Sequence, residues 1–174
     1  MDVKRRIRQA RAIAQLVALF DEHGIKTWLG GGWALEALDA TYKRDHVDVD
    51  FHVFAADAPT VRCLLEEQGF NITEITANSF TAERGKLRIE WELLWLSDND
   101  EIVTYDNRLD RTYVWPEGAF PANKTGIIDD VGVYVMSPSA QRRHKLDYDK
   151  EHVPLRQKDM KDLSRLKALI HDRM

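Results

Sequence analysis

At 174 residues the chain is long enough to bury one core without a disulfide or a structural metal. Its 25 Lys and Arg against 29 Asp and Glu give a formal charge of −4, mixed in sign, which weighs against nucleic acid as a partner. A single cysteine, Cys63, excludes a disulfide framework and a cysteine-rich zinc site.

Residues 3–22 carry a broad apolar stripe at helical spacing, including Ile7, Ile13, Leu16, Val17 and Phe20, and predict an amphipathic helix ended by Gly24. Its basic-then-apolar start resembles an export signal only superficially, because Arg8, Gln9, Arg11 and Gln15 interrupt it. The expectation is a cytoplasmic protein with no membrane partner. Ile25–Leu29 then reads as a short buried strand, stopped by Gly30-Gly31-Gly32, and Trp33–Leu38 as a short helix. His46–Phe54 alternates polar and apolar residues as a strand does. Asp57-Ala58-Pro59 opens a helix that runs to about Gln68.

Phe70–Ala77, Phe80–Glu83 and Lys86–Leu96 predict three further strands, with Arg84-Gly85 as the last turn. Residues 97–123 read as an acidic irregular stretch in which Tyr113 and Trp115 are candidates for touching a substrate. Val131–Val135 is one more strand, and helices are expected over 138–149 and 156–172. This order predicts an α+β fold, a mixed β-sheet flanked by helices with a small helical C-terminal portion. Residues 1–136 form the sheet domain in this reading, and 137–174 a helical segment packed on it as one compact unit.

The chemistry gathers on two strands. Asp48 and Asp50 share a face, roughly 6.5 Å apart at their bases, and two bare carboxylates there repel by about 2.5 kcal/mol at an effective dielectric of 20. Val47, Val49, Phe51 and Val53 occupy the other face, so the acids look onto something other than packed core. Glu90 and Glu92 repeat the pattern between Ile89, Trp91 and Leu93. If the strands are neighbours, three or four carboxylates converge, enough for two divalent cations such as Mg2+. A strand that ends in glycines and enters a helix at Trp33 offers the backbone N–H groups of Gly31, Gly32 and Trp33 to a phosphate chain.

WLGGGWALEAL followed by Lys43-Arg44-x-His46-x-Asp48-x-Asp50, the FTAERG…IEWE hairpin and a helical C-terminal segment resemble the small antibiotic nucleotidyltransferases of the aminoglycoside-2″ and lincosamide type, in the DNA polymerase beta-like nucleotidyltransferase superfamily. The resemblance covers most of the chain. It implies a nucleotidyltransferase fold, Asp48 and Asp50 as ligands of two Mg2+ ions, and Glu90 as a third ligand and general base. Glu90 stands where the family has Asp, so Glu92 remains the alternative third carboxylate and is otherwise a candidate for the substrate. Arg44 and Lys145 are implied phosphate contacts. The implied reaction is transfer of AMP from ATP to a hydroxyl of a small molecule, an aminoglycoside- or lincosamide-like antibiotic, with release of pyrophosphate. The alternatives are adenylylation of a protein partner, as in toxin–antitoxin relatives, and a non-catalytic nucleotide or metal binder. Either a monomer or a homodimer fits.

Overall fold

The computed structural model describes residues 2–106, 110–150 and 154–171. Helix α1 (Val3–Glu22) begins at Asp2, whose carboxylate accepts the backbone N–H of Arg5, and it buries Ile13, Leu16, Val17 and Phe20. The short strand β1 (Trp28–Leu29) runs into α2 (Gly31–Leu38), so the helix starts at the second glycine, two residues before the sequence-based boundary. After β2 (Val49–Phe54) and α3 (Ala58–Glu67) come β3 (Asn71–Thr76), β4 (Ser79–Arg84) and the long β5 (Leu87–Leu96). Asp48 lies one residue ahead of β2, on its lead-in.

Residues 97–123 depart from expectation. They carry β6 (Ile102–Asp106) and β7 (Arg111–Val114), an antiparallel pair in which Thr104 faces Tyr113. The β-branched residues of this stretch, Ile102, Val103, Thr104, Thr112 and Val114, favour a pleated surface, and the density of acids in the sequence concealed them. A second unforeseen strand, β8 (Gly126–Ile128), pairs with β9 (Val131–Val135). Helices α4 (Pro138–Lys150) and α5 (Gln157–His171) complete the chain.

The main sheet has the order β3-β4-β5-β2-β1-β9-β8, with β6 continuing from the far end of β5. It is mixed: β2 with β5 and β1 with β9 are parallel, the other pairs antiparallel. Two cores result from strand alternation. Val49, Phe51, Val53, Ile89, Trp91, Phe80 and Ala82 pack against α1 and α3, with Trp91 stacked on Phe51 at 4.9 Å and edge-on to Phe20 at 5.6 Å. Such aromatic pairs add about 0.5–1.5 kcal/mol each beyond their buried area. On the opposite face Trp28, Tyr113, Trp115, Phe120 and Met136 form a second cluster, which leaves the middle of that face to polar side chains. Leu166 and Leu169 of α5 pack on Leu35 of α2, tying the last helix to the glycine bend. Among the described residues no helix is long and apolar enough to cross a membrane.

Candidate active site

The polar middle is built by register. Parallel pairing of β2 with β5 sets Asp50 beside Glu90 and His52 beside Glu92, and antiparallel β4 adds Thr81 next to Glu90 and Ser79 next to Glu92. An open cleft of about 570 Å³ lies over this patch, lined among others by Gly31, Asp50, Glu90, Lys145 and Arg156.

Beside the patch stands the glycine bend. Gly30 donates its N–H to the Asp50 carbonyl at 2.9 Å, which pins the bend to β2. Gly31 has φ +56°, and a β-carbon there would lie 2.0 Å from Asp50 Oδ2. The left-handed backbone and the contact each demand glycine. The bend therefore faces the acids, and Asp50 presses against its backbone.

Asp50 is held in an unfavourable setting. Burial, the charge of Asp48 and the charge of Glu90 push its carboxyl up to about 6 from the ordinary 3.8, only partly offset by His52 and Lys158. Glu90 leans on Arg88, with Nη2 3.0 Å from Oε1, and Arg88 also reaches Glu83 at 3.2 Å. Among the described residues no three acids, histidines or cysteines already form a ligand shell.

Cations arrive from the C-terminal helices. Lys145 pairs with Asp159 at 2.7 Å and Asp162 at 3.4 Å. Arg156 grips Asp159 through Nε at 2.7 Å, and its guanidinium charge is reinforced first by that carboxylate and further by Asp48 and Asp50. For Asp159, burial raises the carboxyl, but hydrogen bonds from Arg156 and Lys145 outweigh it and hold the group well below the usual carboxylate range.

The frame behind the bend is a second polar cluster. Glu36 of α2, 3% exposed, accepts from Arg6, His46 and the Arg44 backbone N–H. The buried Asp162 pairs with the Arg44 guanidinium, whose Nη2 donates to it at 3.3 Å, and accepts from the Tyr42 hydroxyl at 2.9 Å.

The profile of the aminoglycoside-2″-adenylyltransferase family matches residues 12–166. This chain belongs to that family. A curated relative, the 2″-aminoglycoside nucleotidyltransferase of Klebsiella pneumoniae, is 28% identical over 120 residues, 69% of this chain and 63% of the relative. The match thus spans less than two thirds of that relative's length. Among solved structures, ANT(2″)-Ia in complex with adenylyl-2″-tobramycin superposes with a TM-score of 0.76 at 22% identity, covering 94% of this chain and 90% of that one. The lincosamide antibiotic adenylyltransferase LnuA, lincomycin-bound, gives 0.68 at 22% identity, covering 89% and 94%. Both share the mixed sheet with flanking helices, the nucleotidyltransferase fold expected from the sequence.

Within this family member the sequence-derived candidates divide into two groups. Asp50, Glu90, Glu92, Gly31 and Lys145 line the cleft, and Asp48 is close enough to Asp50 to repel it. Trp33 is expected to offer only its backbone N–H, and its indole lies in the main core beside His46, 1% exposed. Others lie elsewhere. Arg44 is taken up by Asp162 and lies against Gly32, where a β-carbon would meet its Nη2 at 2.1 Å; it buttresses the bend instead of lining the cleft. Tyr113 and Trp115, expected on a substrate-facing loop, belong to the β7 end of the second core, with the Tyr113 hydroxyl bonded to Asp147 at 3.0 Å. Sequence reading overlooked His52 and Arg156. His52 was legible, since it lies two residues beyond Asp50 and shares its face. The position of Arg156 could not be read locally, because it is set by how the segment ahead of α5 lies over the cleft.

Proposed function

We propose that the chain transfers the AMP moiety of ATP to a hydroxyl of a small acceptor and releases pyrophosphate, with an aminoglycoside- or lincosamide-like antibiotic as that acceptor. The observation that carries this reading is the contact of the Gly31 backbone with the Asp50 carboxylate, one strand from Glu90. It supports reading the bend as a phosphate cradle beside a group of repelling acids.

Those acids suit Mg2+. Asp48, Asp50 and Glu90 are hard oxygen donors. The repulsion that lifts the Asp50 carboxyl is what a divalent ion would relieve. Asp48 and Asp50 would hold the ions, with Glu90 as the shared third ligand once it exchanges Arg88. Bound there, two ions supply positive charge against the leaving pyrophosphate and ease loss of the acceptor's hydroxyl proton.

The remaining work falls to the chain. The N–H groups of the bend take the triphosphate, and Lys145 and Arg156 balance its charge from the opposite wall. The acceptor oxygen forms a bond to the α-phosphorus as the bond from that phosphorus to the bridging oxygen breaks. Glu90 accepts the hydroxyl proton, and pyrophosphate carries away the electron pair of the broken bond.

Pyrophosphate release from ATP in the presence of tobramycin or lincomycin tests the proposal. Asp48→Asn and Asp50→Asn are expected to lower the rate at least a hundredfold. Rates equal to the parent's overturn it.

A further inference from the structure

Next to the acids stands a pair that the reaction above leaves unused. His52 and Glu92 face each other across β2 and β5, one same-face step beyond Asp50 and Glu90. His52 Nε2 lies 2.9 Å from Glu92 Oε2, in polar contact with the carboxylate. Both residues line the cleft.

The imidazole is locked on every side. On its β1 side is Gly30, where a β-carbon would come within 2.7 Å of Cε1, so the ring can occupy this place only because residue 30 has no side chain. Trp115 and Phe120 pack on it with centroids at 5.9 and 5.5 Å. Its side chain is 7% exposed, whereas that of Glu92 is 32% exposed on the cleft side. Nδ1 is buried with no hydrogen-bond partner, which costs stability. A position that only filled the second core would be better served by an apolar side chain.

We propose that His52 is a positioning residue for the acceptor. It fixes the Glu92 carboxylate so that this group receives a hydrogen-bond donor, hydroxyl or ammonium, of the acceptor molecule. This rests on the nucleotidyl-transfer reading above and adds the wall against which the second substrate is aligned. A glutamate on a sheet face has three rotatable bonds, and ordering it at the moment of binding subtracts from affinity. His52 holds it in place beforehand. Glu92 lies roughly 6.5 Å along the strand from Glu90, so a donor bound there leaves another hydroxyl of the same molecule near Glu90. Trp115 and Phe120 shield the histidine side of the pair and keep water from competing for the bond.

The test uses the full chain with ATP, Mg2+, and tobramycin and lincomycin as acceptor probes, reading pyrophosphate release and thermal melting. His52→Leu is expected to raise the KM of the acceptor about tenfold or more, with the KM of ATP unchanged within twofold. His52→Gln, whose amide can donate to Glu92, is expected to recover most of the loss. In a Glu92→Gln background, His52→Leu is expected to add less than twofold. Equal effects on both KM values, effects that multiply with those of Glu92→Gln, or a loss that follows melting temperature in both His52 variants would overturn the proposal while leaving nucleotidyl transfer standing. A parent that neither turns over nor binds either probe would overturn the acceptor reading itself, and this proposal with it.

Discussion

Gly31 and Asp50 are packed so closely that a single methyl group on residue 31 would lie 2.0 Å from the aspartate's Oδ2. The clash adds to a backbone at φ +56°, which alone disfavours any side chain. Gly31→Ala is therefore expected to cost about 1–3 kcal/mol of stability. Its effect on turnover should exceed what unfolding explains, because either the bend or the aspartate must move. Denaturant melts beside pyrophosphate-release rates, taken where the variant is still folded, separate the two. A folded Gly31→Ala chain with parental turnover would show that the contact has no role in the chemistry.

The raised carboxyl of Asp50 sets a pH dependence whose sign is unusual for an acid. Between the ordinary 3.8 and about 6, the folded chain retains a proton that the unfolded chain has released. Stability thus falls as pH rises through that window, and the full penalty stands above it. The gap corresponds to about 3 kcal/mol, nearer 2 after solvent screening at a partly exposed group. Asp50→Asn is expected to stabilise the ion-free protein at pH 8 and to give no gain at pH 4. Mg2+ should raise the melting temperature of the parent at pH 8 and have much less effect on the variant. Thermal melts at the two pH values, with and without Mg2+ after chelator treatment, provide the check; no gain at pH 8 would refute it.

Most of this arrangement is local and was therefore legible in the chain. The helix over 3–22 and the strand over 131–135 follow from periods of 3.6 and 2, whereas the strand expected to carry both Asp48 and Asp50 begins only at Val49 and leaves Asp48 on its lead-in. The glycine bend announced itself by composition. What stayed hidden depends on partners distant in sequence. Arg44 looked like a phosphate contact until α5 supplied Asp162, and Tyr113 and Trp115 looked exposed until β6 and β7 paired and Trp28 and Phe120 closed over them. The register that sets His52 beside Glu92 could not be read from either strand alone.

Asp162 illustrates how the last helix supports the bend. It is fully buried and takes Arg44, Tyr42 and Lys145 at 3.2, 2.9 and 3.4 Å. Removing one member of a buried ion pair strands the other, which typically costs 3–5 kcal/mol. Asp162→Ala is expected to lose about that much, with Asp162→Asn at the lower end because it keeps an acceptor for the Tyr42 hydroxyl. Urea denaturation measures both. A loss below about 1 kcal/mol for the alanine variant would mean that Arg44 finds another partner and that α5 is not pinned through this residue.

Arg156 offers the most direct test of how the helices serve the cleft. Asp159 holds it by the backbone N–H at 3.1 Å, Nε at 2.7 Å and Nη2 at 3.2 Å, so the guanidinium is aimed before any nucleotide arrives. Asp48 and Asp50 attract it, and a triphosphate bound over the same acids would inherit that cation. Arg156→Ala is expected to raise the KM of ATP about tenfold, equivalent to about 1.4 kcal/mol, with the KM of the acceptor nearly unchanged. Arg156→Lys keeps the charge but loses the two-pronged grip on Asp159, and should fall between parent and alanine. Asp159→Asn should mimic part of the loss without touching the nucleotide, since it frees the arginine from its holder. Steady-state kinetics with ATP and acceptor varied in turn distinguish these cases. An unchanged KM for ATP in Arg156→Ala would leave the glycine bend and Lys145 to bind the triphosphate, and would make the Arg156–Asp159 grip a matter of helix packing.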